Sequence, residues 1–336
     1  EVEILPSSMA ADTTWNCTLY VDHHSDRDFL GQRLEEQGLT AALGAGGNTP
    51  EGTRFDRYDV NAPSSNLASL GRPLRTQYGA SIIQLFAYKA VAWHSSNLAS
   101  FNLVDEDANI LAPWLTITEV GGRRFWASGD GLARSISSEN EPTTVSFLAN
   151  VCGVRFGCDT IRLASCPAGS VLDSTYCLPL APVAGAAFTT ATPVNARGNG
   201  CPEIRSFDLL TRNSAISTST GQLSYQKLDG VKAYAAITNY NTVDVDYKTV
   251  IDGVAVGNLR DPNGSTHNAA RCNIQTPALA RAQDVVGWFQ SPTTFGLCDD
   301  DVPDALSAFL TDPAPGIFPA PSLRVRTPFR QVPDGW

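Results

Sequence analysis

Three pairs of short β-patterned runs, each pair split by two turn residues, dominate the hydrophobic pattern of this chain. Leu115–Val120 and Arg123–Ala127 flank Gly121-Gly122, Leu223–Leu228 and Val231–Ile237 flank Asp229-Gly230, and Thr242–Ile251 and Val254–Val256 flank Asp252-Gly253. Gly-Gly and Asp-Gly supply the positive φ angles of tight hairpins, so the spacing predicts three antiparallel pairs. The most apolar run, Ser81–Trp93, predicts a central strand covered on both faces. Other strands are expected at Cys17–Val21, Ile110–Val120, Thr143–Val151, Thr160–Ala164 and, as an edge, Leu323–Arg326.

Helical spacing is weaker. Over Asp26–Ala42 it sets Phe29, Leu30, Leu34, Leu39 and Leu43 on one side and Glu35 and Glu36 on the other. Thr276–Gln290 repeats the pattern, and Ala305–Leu310 reads as a short helix after Pro303. The balance predicts an all-β fold, an antiparallel jelly roll or large β-sandwich with a few short helices. It is expected to be a single domain over 1–336, with a Cys- and Pro-rich elaboration at about 150–222.

Charge then narrows the partners. A net charge of −10 argues against the folded part wrapping nucleic acid by itself. Four of the 24 basic residues are lysine, and arginine suits fixed interface contacts, although genome composition gives the same bias. No apolar run is long enough for a transmembrane helix, so no membrane insertion is expected. The eight cysteines fit either four disulfides of a secreted protein or free buried thiols, the latter favoured because a large core needs no staples. The sequons at Asn16 and Asn263 matter only on a secretory route.

Several clusters are candidates for chemistry. Asp22-His23-His24-Ser25-Asp26-Arg27-Asp28 has the residue types of a transition-metal site, and Asp22-His23-His24 resembles the triplet of the DHH phosphoesterases. The α/β context of those enzymes and their upstream aspartates are not matched, and a polar turn capping the next helix explains the cluster as well. Asp299, Asp300, Asp301 and Asp304 crowd four carboxylates into six residues, which suits calcium or an acidic helix start. Asp244 and Asp246 share a strand face, read as solvated. Arg324, Arg326 and Arg330 alternate toward nucleic acid or a neighbouring subunit, or guard an edge strand. His94 and His267 have no nucleophile motif beside them, and no phosphate loop or zinc spacing occurs.

In outline the chain resembles the coat protein of a small non-enveloped icosahedral RNA virus, of the noda-, tombus- and sobemo-like kind or from viruses of single-celled algae. The resemblance rests on the β pattern, the long loops, the Asp299–Asp304 cluster and the Asn268-Ala269 dipeptide. It implies a capsid subunit rather than an enzyme: many copies in a shell, assembled in host cytoplasm into a virion. Calcium would lie at subunit contacts, and viral RNA would be held by a basic arm before Glu1. The alternative is a secreted β-sandwich lectin or glycoside hydrolase, with Trp15, Trp93, Trp114, Trp126 or Trp288 as sugar platforms and paired carboxylates for chemistry.

Overall fold

A computed structural model describes residues 16–24, 29–44, 54–62, 65, 67–71, 78–117, 122–159, 178–188, 194–196, 206–225, 233–243, 245–260 and 276–291. The first half of the chain alternates strand and helix: β1 (Thr18–Asp22), α1 (Phe29–Leu43), β2 (Phe55–Asp59), α2 (Ile82–Leu85), β3 (Ala90–His94), α3 (Asp105–Thr116), β4 (Arg123–Ser128), α4 (Leu132–Glu139) and α5 (Pro142–Ser146). A π-helical turn over Phe147–Val151 leads into a run of strands: β5 (Val154–Cys158), β6 (Leu178–Pro182), β7 (Val194–Ala196), β8 (Leu209–Arg212), β9 (Ser219–Tyr225), β10 (Tyr234–Asn241), β11 (Tyr247–Asp252) and β12 (Leu259–Arg260). Helix α6 (Thr276–Phe289) follows.

The strands form one sheet in the order β12-β7-β6-β9-β10-β11-β4-β3-β1-β2, with β8 beside β10 and β5 beside β8. Strands β2, β1, β3, β4 and β11 run parallel. From β11 onward, through β10, β9, β6, β7 and β12, every pairing is antiparallel. The fold is therefore α/β with a mixed sheet, and the all-β jelly roll expected from the turns is overturned. The coat-protein resemblance loses its architectural base with it.

Parallel strands need helices on both faces, and the core shows them. Leu19, Val21, Val91, Trp93 and Phe125 face one way, onto Leu111 and Trp114 of α3, Ile136 of α4 and Phe147. Their neighbours Tyr20, Ala90, Ala92, Trp126 and Val250 face the other way, onto Leu34 and Leu39 of α1 and Ala278, Ala282 and Val285 of α6.

The predicted elements divide accordingly. Strand β1 and helices α1 and α6 stand where expected. The pair flanking Asp229-Gly230 is present as antiparallel β9 and β10, its turn lying outside the described residues. The other two hairpins are absent. Leu115 lies in the last turn of α3, and Arg123–Ser128 enters the sheet as a parallel strand after Gly122, which takes φ +84°. Asp252 ends β11, and a 3-10 turn over Val256–Asn258 follows in place of a return strand. Ser81–Trp93 is buried at Phe86 and Val91, as expected, but splits into α2 and β3. Ser81 opens α2 with a capping box to Gln84, which ends any strand there. Thr143–Val151 is helical, not extended. Thr160–Ala164, Ala305–Leu310 and Leu323–Arg326 lie outside the described residues. No helix among the described residues is long and apolar enough to cross a membrane.

Candidate ligand site at the carboxyl ends of the parallel strands

The register of the five parallel strands sets their last residues in one line. Asp59 of β2 pairs with Asp22 of β1, Asp22 with His94 of β3, His94 with Ser128 of β4, and Ser128 with Asp252 of β11. Two residues earlier, on the same sheet face, the line is apolar in its middle: Arg57, Tyr20, Ala92, Trp126 and Val250. A polar row thus crosses the sheet where an apolar core ends, beneath the α1 and α6 layer. The chain passes from β1 to β2 on one side and then to β3 on the other, so strand order reverses at β1. In open α/β sheets, ligands collect outside the carboxyl ends of strands at such a reversal.

Side chains from α1, α6 and the β1 exit complete the row. His24 Nδ1 lies 2.5 Å from Asp22 Oδ1, and the His24 amide also donates to that oxygen. His24 Nε2 approaches Glu35 Oε2 to 3.0 Å, and His94 Nδ1 approaches the same oxygen to 3.2 Å. Both are close as ion pairs without being aligned as hydrogen bonds, and His94 Nε2 and Glu35 Oε1 have no hydrogen-bond partner among the described residues. The His94 ring meets Trp126 edge to face at 4.6 Å. Trp126 Nε1 donates to Asp252 Oδ2, and Arg281 of α6 clamps the same carboxylate at 2.7 and 3.3 Å. At the β2 end the row reaches solvent. There Arg57 donates to Asp22, Glu36 and Asp59 at 2.6, 2.6 and 2.5 Å, and its side chain is 39 % exposed.

Burial would neutralise these groups were they alone. It pushes Glu35 up, but the imidazoles of His94 and His24 outweigh it and hold the carboxyl near pKa 2. Burial likewise opposes a charge on His24, yet Glu35 and Asp22 carry it up to about 10. Asp22 is raised by burial and lowered further by His24 and Arg57, with a net fall. Glu36, nearer the surface, is raised by burial.

His23 points to the opposite face and plays another part. Its Nδ1 lies 2.7 Å from the Asn102 carbonyl, and its Nε2 lies 3.1 Å from Asn61 Nδ2. Those partners require a neutral ring with the proton on Nδ1, and burial lowers its pKa to about 4. His23 therefore ties the loop after β2 to the loop after β3.

Asp22, His23 and His24 are all buried, Asp22 and His24 in the row and His23 on the opposite face, while the helix cap expected from the same turn falls at 25–28, outside the described residues. It placed Glu35 on the outer side of α1; Glu35 is 1 % exposed and faces the sheet. The buried positions of α1 are Gly31, Leu34, Glu35, Gly38 and Leu39. That spacing is a legible helical stripe once glycine is allowed as a packing residue. Nothing beside His94 in the sequence marks it for chemistry, because its neighbours come from β1 and α1. Asp299, Asp300, Asp301, Asp304, Arg324, Arg326 and Arg330, and the calcium and RNA readings built on them, lie outside the described residues. So do Asp244, His267, Asn263 and Trp15. Asp246 bridges to Arg124 rather than standing on a solvated strand. Trp93, Trp114, Trp126 and Trp288 are core residues, so none is a sugar platform. Asn16 is buried, with Nδ2 2.8 Å from Asp56. Cys17 and Cys158 are disulfide-bonded, against the expectation of free thiols, while Cys152 is free and buried. Among the described residues no group of three or more His, Cys, Asp or Glu is placed to hold a metal ion.

No family model and no curated protein matches the chain. Solved structures that superpose include a β-galactosidase from Bacillus circulans sp. alkalophilus (7 % identity, TM-score 0.42, over 84 % of this chain and 31 % of that one). Others are the N-terminal domain of mmIFT52 (10 %, 0.40, over 83 % and 99 %) and a ThuA-like protein from Bacteroides uniformis (11 %, 0.41, over 85 % and 96 %). This chain thus spans about a third of the galactosidase's length. At these identities and scores the likenesses carry neither a family nor an activity to this chain.

Proposed function

We propose that this chain binds a small, polar, hydrogen-bonding ligand over the β2 end of the row, at Arg57, Asp59 and Glu36. The single observation behind the reading is the register line Asp59–Asp22–His94–Ser128–Asp252, which gathers polar ends from five strands at the point of strand reversal. The buried Asp22–His24–Glu35–His94 chain behind it holds fixed charges that set the field at Arg57 and offer a path for a proton. Arg57 meets three carboxylates there, so a ligand hydroxyl or ammonium group finds acceptors whose positions the guanidinium fixes. The disulfides at Cys17 and Cys158 support an oxidising compartment for this activity.

The test is a thermal-shift and calorimetric panel of small sugars, polyols, amino acids and carboxylic acids on the wild-type chain and on Arg57→Gln. At least one compound is expected to bind the wild type and to lose ten-fold or more affinity in the variant, compared at a temperature where both are folded. The variant stays folded because the pairs to Glu36 and Asp59 are part exposed and buried Asp22 keeps His24 as a partner. A panel with no binder, or a binder indifferent to Arg57→Gln, overturns the reading.

A further inference from the structure

Glu35 is shared between two imidazoles and is well bonded to neither. Its Oε2 lies 3.0 Å from His24 Nε2 and 3.2 Å from His94 Nδ1, and neither contact is aligned as a hydrogen bond. The Tyr20 hydroxyl reaches the same oxygen at 3.5 Å, while Oε1 has no hydrogen-bond partner among the described residues. All four side chains are buried. A buried carboxylate ordinarily takes aligned donors on both oxygens, because unmet polar atoms are costly in a low dielectric. A carboxylate poised between two donors is an element with two positions.

Asp22 is shared in turn between His24 and the surface. Its Oδ1 accepts from the His24 amide at 3.0 Å and faces His24 Nδ1 at 2.5 Å, while its Oδ2 accepts from Arg57 Nη2 at 2.6 Å. Arg57, Asp22, His24, Glu35 and His94 therefore form one chain in which acids alternate with bases. It runs from a part-exposed guanidinium to an imidazole with no exposure. The other charged groups of this face are engaged beside it. Glu36 and Asp59 accept from the remaining Arg57 nitrogens, and Asp252 is held by Arg281 and Trp126.

We propose that Glu35 is a two-position switch between His24 and His94 that sets, through Asp22, how firmly Arg57 is held. With His94 neutral, Glu35 pairs with the His24 cation, and Asp22 is left to fix Arg57. A proton taken from solvent onto His94 draws Glu35 to that ring. His24 then leans on Asp22 alone, and Asp22 is drawn away from Arg57. His24 stays charged in both positions, since Glu35 and Asp22 carry it up to about 10. Falling pH thus loosens the acceptors around Arg57. What is regulated is ligand binding there, so this inference rests on the site proposed above.

Side-chain NMR on the whole chain without ligand tests the switch separately from that site. The four histidines are labelled at Cε1 and the arginines at Nε, and Arg57 is assigned by the signal missing in Arg57→Gln. A titration from pH 9 to pH 5 spans the ordinary imidazole range. In the wild type, His24 Cε1 is expected to shift at the midpoint at which His94 takes its proton, because coupled groups titrate as one unit. The Arg57 Nε–Hε heteronuclear NOE, a measure of fast side-chain motion, should fall by about half at the same midpoint. In Glu35→Gln and in His94→Gln it should stay flat with pH. An Arg57 signal flat in the wild type overturns the switch. So does a His94 that takes no proton in this range, or one whose titration leaves His24 unmoved. A wild-type response retained in either variant assigns it to Glu36 or Asp59 and overturns the switch as well. If Glu35→Gln does not fold, His94→Gln and the wild type decide. A ligand panel without a binder removes the site and not these shifts, whereas a flat Arg57 signal removes the switch and leaves a binder standing.

Discussion

A carboxylate buried as deeply as Glu35 costs several kcal/mol unless a cation faces it, so His24, held protonated 3.0 Å away, is a condition of folding as well as of any chemistry. Linkage gives the signs. Glu35, lowered to about 2, contributes stability that is present above its ordinary 4.5 and lost as pH falls toward 2. His24, raised to about 10, contributes stability that is full below 6.5 and lost as pH rises toward 10. His23, lowered to about 4, is favoured neutral, so its contribution is full above 6.5 and lost between 6.5 and 4. Urea denaturation of the wild type and of His24→Asn from pH 6 to pH 10 should therefore give curves that converge as pH rises. Parallel curves would mean that His24 holds no extra proton in the folded protein. At this scale the sequence was half legible. The Asp22-His23-His24 triplet stands out in it, but Glu35 and His94 acquire meaning only when a helix and a third strand converge on His24, and neither convergence leaves a trace in local spacing.

Helices α1 and α6 cover the row, and their separation is set by one small contact. A Cβ on Gly38 would lie 2.9 Å from the Cβ of Ala282. Gly-to-Ala in a helix normally stabilises by about 1 kcal/mol, whereas overpacking a tight contact costs about 1–3 kcal/mol. Gly38→Ala is thus expected to lower stability in urea denaturation, and Ala282→Gly added to it to recover most of the loss. A stabilised single variant would show that the helices are free to part. The same scale explains which elements were misread from the sequence. Strands β1, β3, β4 and β11 are buried at every position, so they carry no alternation to distinguish parallel from antiparallel pairing. The apolar run Ile110–Val120 predicts a strand, yet its residues up to Thr116 belong to helix α3. Its true start is written in Asp105, Glu106 and Asp107, acids suited to a helix N-terminus. Asp105 accepts from the Thr144 amide while Glu141 accepts from the Asp105 amide, so α3 and α5 cap each other across the sequence. The antiparallel pairing expected on either side of Asp229-Gly230 is present because β9 and β10 follow each other in both sequence and space.

The two edges of the parallel sheet are built from opposite charges. At the amino ends, Arg124 donates to Phe289 O and Lys248 to Trp288 O, so buried cations close the carboxyl terminus of α6. Arg123 donates to the carbonyls of Phe86 and Tyr88 beside the Trp114 ring. Part of the basic complement thus serves the interior, where the sequence suggested subunit interfaces. At the carboxyl ends stand Asp59, Asp22, Glu35, Asp252 and the histidines, with loops that open toward solvent at Arg57. The asymmetry puts structural closure at the amino edge and leaves the carboxyl edge to the proposed ligand site. Amide chemical-shift mapping with the tightest compound from the ligand panel tests this most directly. Perturbed amides are expected to gather at residues 22–24, 57–62, 94–102 and 128–130. Perturbations gathered instead around Arg124, Lys248 and Trp288, or spread evenly over the sheet, would contradict it.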